Sequence, residues 1–180
     1  VLFYHKGGFM RVIANSPINY TTGQATNTPN NVPSTSGDLL VAVCVCDGAR
    51  TWTTPAGWDT ATVDANGSAV SMFVTTKISS GNDTSPTFTI NSNDEMMGQV
   101  FVLDDCPSTN YIVDSATVAI STATVSDQMP SLDTTGTDDC FIIYIATGDE
   151  KAHCTINGRH QVGFQAEGEL SLHICYGFQK

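Results

Sequence analysis

Eight consecutive apolar residues, Leu39-Leu40-Val41-Ala42-Val43-Cys44-Val45-Cys46, constrain this chain more than any other feature. They are β-branched at alternate positions and fenced by Ser36-Gly37-Asp38 before and Asp47-Gly48 after. So short a run, closed at both ends by turn residues, reads as a strand buried on both faces. About a hundred residues later the pattern returns, as Phe141-Ile142-Ile143-Tyr144-Ile145-Ala146-Thr147 behind Gly136-Thr137-Asp138-Asp139.

The rest of the chain agrees with strands. Thr and Ser number 39 against 7 Lys and Arg, and no long run of strong helix formers occurs. Further strands are expected over Phe9–Ala14, Trp58–Asp64, Val70–Thr76, Thr87–Asn91, Met96–Leu103 and Asp114–Val125. Leu170, Leu172, Ile174, Tyr176 and Phe178 form a one-face series near the end. Asn66-Gly67 suits a type I′ hairpin, and Asn157-Gly158 marks another turn. Three landmarks recur 101 residues apart: Asp38 and Asp139, Gly57 and Gly158, Ala69 and Leu170. A choice of one residue in register stays open at Cys140 and Phe141. The expected fold is all-β: a jelly-roll-like antiparallel sandwich of about eight strands, in two Greek-key halves across one core. An immunoglobulin sandwich is disfavoured because Cys44 and Cys140 fit its Cys…Trp…Cys spacing poorly. Residues 1–37 read as an N-terminal strand with an extended polar arm, and 38–180 as the sandwich domain.

A net charge of −11 repels phosphate backbones, so no nucleic-acid partner is expected. No segment approaches the roughly 18 apolar residues of a membrane span. Of six cysteines, Cys44, Cys46, Cys140 and Cys175 lie inside apolar strand patterns. With Cys106 and Cys154 they read as free thiols of a reducing compartment, because a chain this long needs no staples.

Catalytic signatures are missing: there is no G-x-S-x-G, H-E-x-x-H or phosphate loop. His153, Cys154 and His160 match no zinc module, and His173 with Cys175 reads as ordinary packing or an exposed sheet face on one side of the last strand. Asp94-Glu95, Asp104-Asp105 and Asp138-Asp139 are adjacent pairs whose members point to opposite faces, so none is a glycosidase pair. The stretch Asn91–Glu95 has oxygen ligands but not EF-hand spacing. No cofactor and no catalytic or metal residues are expected. Trp52 and Trp58 flank Pro55-Ala56-Gly57. Exposed, they would form a glycan-stacking pair with Tyr20 and Tyr111 nearby; buried, Trp58 would cap the core.

The succession Ser36-Gly37-Asp38-Leu39-Leu40-Val41-Ala42, Pro55-Ala56-Gly57-Trp58 and Val74-Thr75-Thr76-Lys77-Ile78 resembles a β-sandwich domain of tailed-phage virion proteins. The match spans about residues 33 to 104, with a looser continuation beyond. That resemblance implies a non-enzymatic capsid decoration or cement subunit on the virion surface, assembled in the host cytoplasm and bound to the major capsid protein. A dimer or trimer is expected with it. Val1, Leu2, Phe3, Tyr4, Phe9 and Met10, with the 21–36 arm, are the expected protein contacts. The alternative is a tail-fibre or surface glycan-binding module using Trp52 and Trp58.

Overall fold

The computed structural model describes residues 2–4, 10–59, 63–66, 70–106, 112–114, 140–149 and 160–179. In chain order the strands are β1 (Leu2–Tyr4), β2 (Arg11–Asn15), β3 (Asn19–Asn27), β4 (Leu39–Asp47), β5 (Trp52–Thr53) and β6 (Val63–Asn66). They continue with β7 (Val70–Ile78), β8 (Phe88–Asp104), β9 (Ile112–Asp114), β10 (Cys140–Asp149), β11 (His160–Glu167) and β12 (Leu170–Gln179). No helix occurs among the described residues.

All pairings are antiparallel. One sheet runs β2-β8-β4-β7-β6, with β3 and β5 also on β8; the other runs β11-β12-β10-β1-β9. The all-β sandwich expected from the sequence is therefore the observed class, with twelve strands among the described residues where about eight were expected. Within each half β7, or β12, lies between its hairpin partner and the central strand, so the halves are not the runs of successive hairpins expected of a Greek key.

Pleating sorts each strand onto two faces. Leu39, Val41, Val43 and Val45 of β4 meet Met72, Val74, Met97, Phe101, Phe141, Ile143, Leu170, Leu172 and Ile174 between the sheets. Leu40, Ala42, Cys44 and Cys46 point the other way, into a second cluster with Trp58, Phe73, Phe88, Ile90, Met96, Val100 and Val102. The expected two-faced burial of Leu39–Cys46 is thus complete, since every one of these residues is fully enclosed. Leu170, Leu172 and Ile174 point inward as the alternation required, with Tyr176 packed beside them and stacked on Phe141 at 5.1 Å.

The two sheets are copies of one unit. Adding 100 to each β6–β7 pair yields a β11–β12 pair: Val63↔Val74 becomes Gly163↔Ile174, and Asn66↔Ser71 becomes Ala166↔Ser171. The β4–β7 ladder maps onto β10–β12 with shifts of 102 and 100, taking Leu39↔Ile78 to Phe141↔Phe178 and Asp47↔Val70 to Asp149↔Leu170. The uniform spacing of 101 is corrected accordingly: an odd shift would exchange the two faces of every strand, whereas 100 and 102 keep inward residues inward. Asp139, Gly158 and Ala69, on which the 101 spacing rested, lie outside the described residues.

The counterpart of β8 is β1. Leu39↔Leu103 corresponds to Phe141↔Phe3, and the outer pairs Val12↔Leu103 and Ala14↔Val102 correspond to Ile112↔Phe3 and Asp114↔Leu2. Even the skipped residue agrees, Ile13 in one sheet and Val113 in the other. The chain's N-terminal strand fills the place in its second sheet that β8 fills in the first.

Candidate functional site

This correspondence decides the fate of the expected N-terminal contacts. Leu2, Phe3 and Tyr4 form β1 between β10 and β9, so their backbone belongs to the protein's own sheet. Met10 is 2% exposed and sits in the inter-sheet core. It is not an adhesive residue, because withdrawing it would open a cavity. Val1 and Phe9 lie outside the described residues.

The expected polar arm is also corrected. Asn19–Asn27 is a strand along β8, with Tyr20 opposite Met97 and Asn27 opposite Phe88. Its Thr, Gln and Asn side chains carry no apolar alternation, so its conformation comes from the ladder that β8 offers. Asn27 turns back over Gly98, donating to Asn19 O at 3.0 Å and Thr21 Oγ1 at 3.1 Å. A side chain at residue 98 would collide with this amide and with Pro29, which explains the glycine. Residues 28–38 then form a strap. Val32 enters the outer core cluster, Asn31 N donates to Ser85 Oγ at 2.9 Å, and Ser34 Oγ meets Ser79 Oγ at 2.8 Å. Asp38 closes the strap by accepting from Thr35 N at 2.7 Å and Thr35 Oγ1 at 2.9 Å.

The anchor beneath the strap is Asp83, whose side chain is fully shielded. It pairs with Lys77 Nζ at 2.7 Å and accepts from Ser79 Oγ at 2.6 Å and Ser80 N at 3.0 Å, while its carbonyl accepts from Asn31. Burial pushes this carboxyl up, but Lys77, Ser79 and Ser80 outweigh it and hold the group below its ordinary range. The sequence reading passed over Asp83; the cue was Ser79-Ser80-Gly81-Asn82-Asp83, a turn-forming cluster just after a strand. Exposed along β3 and the strap are Thr22, Gly23, Gln24, Thr26, Thr28, Asn30, Pro33, Thr35, Ser36 and Gly37, an uncharged and largely polar surface.

The aromatic pair does not assemble. Trp58 is only 9% exposed and caps the outer core cluster, as the rigid turn before it suggested. Trp52 is half-buried, stacked on Phe73 at 5.6 Å and edge-on to Phe88 at 6.3 Å, with its indole N–H donated to Ser71 Oγ at 3.2 Å. Two rings held this way present no shared face to a sugar. Tyr20 leans on Glu95, and burial followed by that carboxylate raises its phenol. Tyr111 lies outside the described residues.

The reactive groups are similarly engaged. Cys44, Cys46, Cys106 and Cys175 are free thiols. Burial drives the Cys44 thiol well up, and pushes Cys46 to about 11 and Cys106 to about 12, so none of the three is a nucleophilic thiolate at neutral pH. Cys175 Sγ lies 3.1 Å from His173 Nε2, both enclosed on the outer face of the second sheet. Asp94 is held by Arg50 at 2.5 Å and Asp104 by Arg11 at 2.6 Å. Glu95 Oε2 accepts from Glu169 N at 2.8 Å. The Asn91–Glu95 stretch is continuous strand rather than a cation loop. No cluster of three metal-ligating side chains occurs among the described residues. Asp138, Asp139, His153 and Cys154 lie outside them, as does the side chain of His160.

No family model, no curated protein and no solved structure matches this chain.

Proposed function

We propose that this protein is a non-enzymatic structural subunit of a tailed-phage virion, a decoration or cement protein that binds the major capsid protein lattice as a dimer or trimer. The observation that carries this reading is the two-sheet sandwich in which Cys44, Cys46, Asp83, Asp94 and Asp104 are buried or paired within the fold, beside an uncharged face built from β3 and the strap. Such a face suits adhesion, because Thr, Asn and Gln supply donors and acceptors that cost less to desolvate than charged groups when they are re-paired across a contact. Many weak copies gain strength from the lattice they sit on. The contact surface is moved accordingly from the N-terminal residues to the strap.

The test is to mix purified protein with capsids of the phage that encodes it and count bound copies by particle imaging. Saturation at hundreds of copies on the shell is the expected result. A few copies at one vertex would indicate an appendage, and no binding would refute the assignment. Substituting Thr26, Thr28 and Asn30 together by Glu should reduce occupancy without lowering thermal stability.

A further inference from the structure

Three T-x-T triplets far apart in the sequence meet on one face of the first sheet: Thr26-Asn27-Thr28, Thr51-Trp52-Thr53 and Thr87-Phe88-Thr89. β3 and β5 flank the start of β8 on its two sides, and their registers put Thr26, Thr89 and Thr53 in one row across three strands. Thr28 stands beside Thr87, their hydroxyl oxygens 3.1 Å apart. Thr51 stands beside Asn91, which donates its N–H to Thr51 O at 3.1 Å and accepts from Thr51 N through Oδ1 at 3.2 Å. The middle residue of each triplet turns inward: Asn27 and Phe88 are buried, and Trp52 is half-buried with its ring stacked on Phe73. Alternation therefore points all six threonines outward, exposed except for half-buried Thr89. The pairing sets two repeats, about 4.8 Å from strand to strand and about 6.5–7 Å between alternate residues along a strand.

We propose that this threonine face binds ice, its ligand being the ordered water layer of a growing crystal. Oxygens on the prism faces of hexagonal ice recur at comparable distances in two directions, so the array offers its groups near lattice positions. Each hydroxyl can take the hydrogen bonds of one lattice water, and each methyl orders the water around it. Threonine is stiff at χ1, and the floor beneath it is the packed Phe88, Trp52 and Phe73, so little freedom is lost on adsorption. Charge and size decide against other occupants. None of these side chains is charged, although the chain carries −11, so the face has no pull on a basic partner. Three strands by about four residues cover on the order of 200 Å², far below the roughly 800 Å² that each partner gives to a stable protein contact. The Trp52 ring is turned into the fold, which leaves a sugar no aromatic platform. Ice adsorption does not rest on the capsid role proposed above: it draws on β8 and β5 as well as β3, and either activity can be lost while the other stands.

The test freezes the intact protein slowly from solution onto a chilled ice hemisphere and follows single ice crystals in an osmometer. The protein should enter the ice and its crystals should grow faceted instead of round. Thr89→Lys, at the centre of the row, should cut the captured fraction by about tenfold, and Thr53→Lys, on a fully outward position, should do the same if the first variant folds poorly. Gln161→Lys, exposed on β11 of the other sheet, should leave capture unchanged. Exclusion of the wild type from ice with rounded crystals would overturn the proposal. Equal capture of the wild type and both row variants would do so too. Exclusion from ice together with retention on chitin or cellulose would reassign the face to a sugar polymer and sink the ice assignment.

Discussion

Gly168 is one of the places where the two sheets meet closely, and Gly168→Ala measures that contact. The residue sits in the β11–β12 turn with φ of +56°, and a Cβ there would collide with Glu95 Oε2 and the Tyr20 hydroxyl, with Glu95 Cδ at 2.7 Å. Two costs follow. The left-handed backbone costs an alanine roughly 1 kcal/mol. Clearing the methyl also displaces Glu95 from the Glu169 N–H, a charge-assisted bond that at this partly exposed position contributes about 1 kcal/mol. The sum is about 2 kcal/mol, or a fall in melting temperature of roughly 4–8 °C for a domain of this size. Urea denaturation and calorimetry give the value, and a double-mutant cycle partitions it. In a Tyr20→Phe/Glu95→Ala background the collision is gone and only the backbone cost should remain, so the two changes should couple by about 1 kcal/mol. A cost for Gly168→Ala below about 0.5 kcal/mol, or strict additivity, would refute the view that this turn clamps β3 and β8 to the second sheet.

Asp83→Ala should destabilise the protein by about 2–4 kcal/mol, because Lys77 and two serine donors lose a shielded acceptor; limited proteolysis within 28–38 should quicken with it. The depressed folded-state pKa of Asp83 sets the sign of its pH dependence: its contribution is present above the ordinary value of 3.8 and is lost as pH falls through the folded value, so acid titration of wild type should narrow its gap to Asp83→Ala below about pH 4. Cys44 and Cys46 should resist a disulfide reagent at pH 8 in the native protein and react on unfolding; rapid native labelling would contradict their burial. Leu172→Ala, deep in the inter-sheet core, should cost about 2–5 kcal/mol by chemical denaturation, whereas Thr26→Ala on the outer face should stay within about 0.5 kcal/mol.

Much of the fold was legible because hydrophobic periodicity reports burial directly. Leu39–Cys46 announced a strand covered on both sides, and Leu170, Leu172 and Ile174 announced one covered on one side. β3 was not legible, because its Thr, Gly, Gln and Asn residues fit a loop equally well; only the ladder on β8 makes it a strand. β8 was divided in two by Asn91-Ser92-Asn93-Asp94, polar residues that lie on the rim with Gln24 opposite Asp94. In the candidate site, the rigid turn Pro55-Ala56-Gly57 pointed to a buried Trp58, one of the two readings the sequence left open, but carried no information about Trp52, whose half-burial depends on Phe73 and Ser71. The strap anchor Asp83 was hidden for the same reason: what makes it matter is a lysine six residues earlier and an asparagine from another part of the chain.

The N-terminal residues show why an apolar run alone does not identify an adhesive arm. Leu2, Phe3 and Tyr4 would be suited to docking on a neighbour if the second sheet were already closed by strands of its own. Among the described residues, however, the strand of the second sheet that stands where β8 stands in the first is β1 itself. A strand so placed gains ladder bonds on both sides, with β10 and with β9, and a sequence pattern cannot distinguish that from pairing with another chain.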